Sequence, residues 1–294
     1  MSAVTLLDGG MGQELVRRAA KDPSPLWSAQ VLLESPELVE QLHLDFIQAG
    51  AKIITLNSYS CTPERLAEHG QGEQFAELQK TAGRVARSAK VRSGQEDVKI
   101  AGCLPPLVAS YHPELAPEES ISLAHYRSIV EAQKDDVDLF ICETMASVSE
   151  ARNAATAALE SGKPVWVALT LDDGQPACLR SGEPWQDAAD TVEEMGVAAI
   201  LLNCSRPETI DEVWEEFSSS CSLPVGAYAN GFTAVTALKP GGTVDSLETR
   251  VDLGPDAYAE FANKWVKQGA TIIGGCCEVG PEHIAKLNEV LKAR

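Results

Sequence analysis

Two cysteines, Cys276 and Cys277, stand side by side at the end of the apolar, β-branched run "ATIIGGCC". A third, Cys204, closes another apolar run in "AAILLNC". Two carboxylates hold comparable places, Asp8 at the end of "VTLLD" and Glu143 at the end of "VDLFICE". Three thiolates drawn from two strands make an open zinc site, with a fourth position left for water or substrate. Two acidic groups facing the same mouth would clamp an ammonium group. The same residue types also suit bland roles. A buried cysteine is usually a small hydrophobe, and a carboxylate at a strand end can cap the N–H groups of the next loop. Spacing alone leaves both readings standing. Asn203, beside Cys204, is either a ligand-orienting group or a turn residue.

These positions acquire meaning from the elements that carry them. Short apolar runs, at 4–8, 52–57, 98–104, 137–143, 164–171, 198–204, 223–230 and 270–277, alternate with amphipathic stretches along the chain. The runs are continuously apolar, as parallel strands buried on both faces are. Helix openings separate them: in "SPELVEQLHLDFIQAG" Ser35 is placed to cap, Pro36 to start and Gly50 to stop a helix, and "TPERLAEHG", "RPETIDEVW" and "GPEHIAKLNEVL" open similarly. Eight strands each followed by a helix predict a (β/α)8 TIM barrel, formed as a single domain over 1–294. A doubly wound open sheet is the alternative. The long connections, 9–34, 104–117, 171–184 and 230–254, all follow strands, which gathers the elaboration on the rim where barrels build active sites. All the residues named above fall on that rim. Adjacent cysteines cannot both point the same way along an ideal strand, so "GGCC" is expected to be distorted, with Gly274 and Gly275 permitting it. Cys61, Cys103, Cys142, Cys178 and Cys221 are assigned to packing or loops.

Composition narrows the partners. With 43 Asp and Glu against 24 Lys and Arg, a net charge of −19, no broad basic surface exists for a phosphate backbone or an anionic leaflet. Neither nucleic acid nor membrane is expected as a partner. There is no apolar run of the roughly 20 residues that span a bilayer, nor a signal-peptide pattern, so a cytoplasmic protein is expected. Oligomeric state is not legible.

Taken in order, "LLDGGMGQEL", "ICET", "LLNCSRPE" and "IIGGCCEVGPEHI" resemble the homocysteine S-methyltransferases, zinc-dependent barrels related to betaine–homocysteine methyltransferase and to the homocysteine-binding part of cobalamin-dependent methionine synthase. The resemblance implies that Cys204, Cys276 and Cys277 bind Zn2+, and that Asp8 and Glu143 hold the amino group of homocysteine. It also implies that a methyl donor is the second small-molecule substrate. Trp27 and Tyr59 resemble aromatics that line the donor pocket of betaine-using relatives. Those enzymes carry a further tyrosine where this chain has Thr144, a departure that favours a sulfonium donor, S-methylmethionine before S-adenosylmethionine, over betaine. Glu278, directly after the cysteine pair, is a second departure and adds negative charge near the metal. Other small thiols or selenium analogues remain as alternative acceptors, and a zinc-binding sensor barrel without turnover is the alternative of another class.

Overall fold

The computed structural model describes residues 4–20, 26–240, 242 and 244–292. Its barrel strands, numbered in chain order, are β1 (Thr5–Leu6), β2 (Ile53–Thr55), β3 (Lys99–Leu104), β4 (Leu139–Met145), β5 (Val165–Leu169), β6 (Ala199–Asn203), β7 (Val225–Tyr228) and β8 (Ile272–Ile273). All pairings in this sheet are parallel, in the order β1-β8-β7-β6-β5-β4-β3-β2. A parallel bridge between Leu7 and Ile53 joins the two ends, with Asp8 N donating to Ile53 O at 3.0 Å. The sheet is therefore a closed TIM barrel, as the alternation predicts, and not an open doubly wound sheet.

Two apolar layers hold it. Leu7, Ile53, Ala101, Ile141, Leu201 and Tyr228 fill the interior, while the outer faces of the strands pack against the helices, where Trp185, Trp214 and Trp265 are fully buried. Burying side chains of this size contributes about 1.5–3 kcal/mol each, before the cost of ordering them. Helices begin and end where the sequence signals place them. Pro36–Ala49 starts on its proline and stops at Gly50, whose φ of 116° is easy for glycine. Ser35 occupies the cap position without a side-chain cap bond, whereas Thr62 caps Pro63–Glu68 by accepting from Arg65 N at 3.2 Å.

Two departures from the expected pattern bear on the rim. The segment 171–184 contains an antiparallel hairpin, Leu171–Asp172 against Gln175–Leu179, whose turn is fixed by Asp172 Oδ1 accepting from Gly174 N and Gln175 N. And β8 ends at Ile273, four residues earlier than the apolar run implies, so "GGCC" lies wholly beyond the strand. A Cβ on Gly274 would sit 2.6 Å from Leu7 Cβ. Only glycine lets the chain turn off β8 this close to β1.

Candidate functional site

The C-terminal mouth of the barrel holds a concave cleft of the kind in which small-molecule sites are built. Asp8, Trp27, Tyr59, Glu143, Cys204, Cys276 and Cys277 all line it. Residues within β4, just beyond β1, β6 and β8, and in two loops thus meet at one place.

The three cysteine sulfurs lie within 4.8 Å of one another. Cys204 and Cys276 are joined as a disulfide, with Cα atoms 5.7 Å apart, and Cys277 is a free thiol. The bonded pair bridges two strand ends; the adjacent cysteines 276 and 277 are not the ones that join. A metal-holding state therefore requires reduction, after which the trio is an all-sulfur donor set of the kind zinc prefers. Burial, with the nearby carboxylates Glu278 and Glu143, pushes the Cys277 thiol up to about 12. Without a cation beside it, that group stays protonated at neutral pH.

The surrounding backbone is shaped for these sulfurs. Cys204 has φ 46°, and its carbonyl accepts from Asn230 Nδ2 at 2.9 Å and from Arg180 Nη2 at 3.5 Å. Tyr258 props the turn after β8, donating to Gly274 O at 2.7 Å and accepting from Ala229 N at 3.0 Å. Trp27, Tyr111, Thr144 and Glu278 also have positive φ. Among the described residues, five of the six non-glycine residues in that region therefore line the cleft or adjoin a residue that does. Such conformations cost of order 1–3 kcal/mol each and persist where surrounding structure enforces them.

Asp8 is 5% exposed. It accepts from Thr55 N at 2.7 Å and from Thr55 Oγ1 at 3.3 Å. Desolvation dominates these bonds and, with the charge of Glu143 nearby, pushes Asp8 up to about 8. Burial likewise raises Glu143 to about 7, opposed by a hydrogen bond from Cys103 Sγ to Glu143 Oε1 at 2.9 Å. Two carboxylates that resist ionisation in the same dry cleft would both be relieved by one ammonium group.

Asn203 does not line the cleft. Its Oδ1 accepts from Thr144 N at 3.1 Å and its Nδ2 donates to Thr144 Oγ1 at 3.0 Å, so it fixes the turn that follows Glu143. Glu278 is balanced, since Arg17 Nη1 donates to Glu278 Oε2 at 3.0 Å, and the extra charge beside the cysteines is partly offset. Trp27 Nε1 donates to Gln13 Oε1 at 2.8 Å, and the ring meets Tyr59 edge-on at 6.5 Å. A Cβ on Gly12 would collide with the Trp27 ring at 1.9 Å, a reason for the glycine in "GGMG".

Tyr111 and Cys103 are the residues sequence reasoning missed. Tyr111 lines the cleft as a third aromatic, with the Arg180 guanidinium 4.6 Å from its ring centre; it sits in a loop with no motif to mark it. Cys103 reads as a strand hydrophobe, and only the register of β3 against β4, Cys103 opposite Ile141 and Leu104 opposite Cys142, brings it toward Glu143.

The sequence profile described as homocysteine S-methyltransferase matches residues 5–291. The chain belongs to the homocysteine S-methyltransferase family. It is 30% identical to homocysteine S-methyltransferase of Escherichia coli, over 97% of this chain and 94% of that one. It is 27% identical to selenocysteine methyltransferase of Astragalus bisulcatus, over 98% and 92%. Among solved structures, the metallated form of the homocysteine methyltransferase MmuM from Escherichia coli superimposes with a TM-score of 0.83 at 28% identity, covering 98% of this chain and 96% of that one. The oxidized form of MmuM gives 0.78 at 28% identity, with the same coverage. Membership makes the chain a methyltransferase with homocysteine S-methyltransferase activity. Among the described residues, no helix is long and apolar enough to cross a membrane.

Proposed function

We propose that this methyltransferase moves a methyl group from a sulfonium donor, S-methylmethionine first and S-adenosylmethionine second, to the sulfur of homocysteine, giving methionine. Cys204, Cys276 and Cys277 would hold zinc. The observation that carries this reading is the meeting of three cysteine sulfurs within 4.8 Å, on the wall of the cleft that also contains Asp8 and Glu143. When bound, the ion would supply positive charge that stabilises the acceptor's thiolate, so that the thiol loses its proton to water near neutral pH.

The chain's own residues do the rest. Asp8 and Glu143 hold the acceptor's ammonium group and so fix where its sulfur points. Trp27, Tyr59 and Tyr111 offer aromatic faces to a cationic donor, an attraction of about 0.5–2 kcal/mol per ring. The methyl carbon passes in line to the acceptor sulfur. The donor's carbon–sulfur bond breaks with its electron pair left on the donor, which departs as a neutral thioether. No acid or base is needed at that step, and alignment does most of the work.

A donor panel tests the proposal. Reduced, zinc-loaded protein with L-homocysteine should form methionine fastest from S-methylmethionine, more slowly from S-adenosylmethionine and least from betaine. Methionine from none of them would overturn the reading. Selenocysteine belongs in the panel as a second acceptor, given the relative named for it.

The bond from Cys103 carries its own expectation. Cys103→Ala should raise the KM for homocysteine by roughly 2- to 13-fold, the worth of a hydrogen bond of about 0.5–1.5 kcal/mol, with kcat unchanged. Cys103→Ser should restore it. An unchanged KM in the alanine variant would reduce Cys103 to a packing residue.

A further inference from the structure

Of the side chains lining the cleft, Tyr228 alone has a buried polar atom, its hydroxyl, with no partner among the described residues. Tyr228 ends β7, is 5% exposed, and belongs to the barrel's interior layer, which makes it part of the cleft's floor. Buried polar groups in folded proteins are nearly always paired, so an orphan at a binding site points to a ligand. Among the other buried orphans, the indole N–H groups of Trp185, Trp214 and Trp265 and the imidazole of His43 sit in helices away from the cleft, and Glu278 Oε1, next to Cys277 but not on the cleft lining, belongs to a carboxylate whose other oxygen is held by Arg17.

The company Tyr228 keeps identifies the ligand chemistry. Burial, and then the charges of Glu143, Cys103 and Asp8, hold its phenol well above the ordinary range, so it stays a neutral hydroxyl with a proton to give and lone pairs to accept with. An ammonium group brings three N–H donors, as a lysine head does. Asp8 and Glu143 supply acceptors for two of them. In a site closed to water the third would be left bare.

We propose that the Tyr228 hydroxyl accepts the third N–H of the acceptor's ammonium, completing with Asp8 and Glu143 a three-oxygen cradle that selects an amino-acid thiol over a plain alkyl thiol. This rests on the reading that homocysteine occupies the cleft. Tyr228 is a binding residue in this scheme, and its hydroxyl, unpaired within the protein, has its lone pairs open to a ligand N–H. No bond is made or broken by it.

Tyr228→Phe removes only the oxygen. Reduced, zinc-loaded wild type and variant are titrated calorimetrically with L-homocysteine and, separately, with 4-sulfanylbutanoate, the same thiol without its amino group, measured by competition where direct heats are small. Unfolding temperatures of both proteins without ligand are recorded alongside. The variant should bind homocysteine about 10-fold or more weakly, bind 4-sulfanylbutanoate within about twofold of wild type, and unfold at the same temperature or higher, since it lacks an unpaired buried hydroxyl. Equal homocysteine affinity, equal weakening for both thiols, or a lowered unfolding temperature would overturn the proposal. Wild type that holds zinc but fails to bind homocysteine would instead bring down the reading on which it rests.

Discussion

Cys204→Ala, Cys276→Ala and Cys277→Ala should each bind less than about a tenth of an equivalent of zinc and lose more than about 100-fold in turnover, exceeding the 10- to 100-fold cost of losing an outer partner of a metal ligand. The three sulfurs act together because they lie within 4.8 Å of one another and arrive from two strand ends. Two remaining thiols cannot make the three-ligand open site. The wild-type protein should load zinc only after reduction, because Cys204 and Cys276 are joined in the oxidised state. Chelation followed by air should inactivate it, and reductant with zinc should restore it. Metal analysis of the purified variants checks the first expectation, and full zinc occupancy in any one of them would show that residue not to be a ligand.

Asp8→Asn and Glu143→Gln should each weaken homocysteine binding by roughly 10- to 150-fold, the equivalent of about 1.5–3 kcal/mol for a hydrogen bond to a charged group. They should also alter how stability depends on pH. Both carboxyls have folded-state values above their ordinary ones, about 8 for Asp8 and about 7 for Glu143, with burial the main cause. The folded state then binds these protons more tightly than the unfolded chain does. Stability is consequently lost as pH rises from about 4, where the unfolded carboxyls ionise, to about 8, where the folded ones do. Unfolding temperatures of the ligand-free protein across that window should fall with pH. Either substitution should flatten the slope, and homocysteine should stabilise wild type most at its alkaline end. A slope that persists unchanged in both variants would place these carboxyls outside the linkage.

The barrel and most of its site were legible because both depend on strand ends. Continuous apolar runs such as "VDLFICE" mark strands buried on two faces, and the residue after each run has only the rim to occupy. That logic alone gathers Asp8, Glu143, Cys204, Cys276 and Cys277 on one rim. It fails where a strand stops early or a loop folds back. The apolar pattern runs through "ATIIGG", so β8 reads longer than the two residues that pair. The strands of the hairpin in 171–184 are only two and five residues long, and its turn depends on one Asp172 side chain. Tyr111 reaches the cleft from a loop, and Asn203, at a strand end like the others, turns to Thr144 instead of the cleft. Cys103 and Tyr228 face inward by register, which apolar strands conceal because both alternating faces are hydrophobic.

Zinc K-edge X-ray absorption on the reduced, zinc-loaded protein, before and after L-homocysteine, tests the central claim most directly. Three sulfur neighbours at about 2.3 Å are expected without the amino acid and four with it. A sulfur count that stays unchanged on adding homocysteine would contradict it.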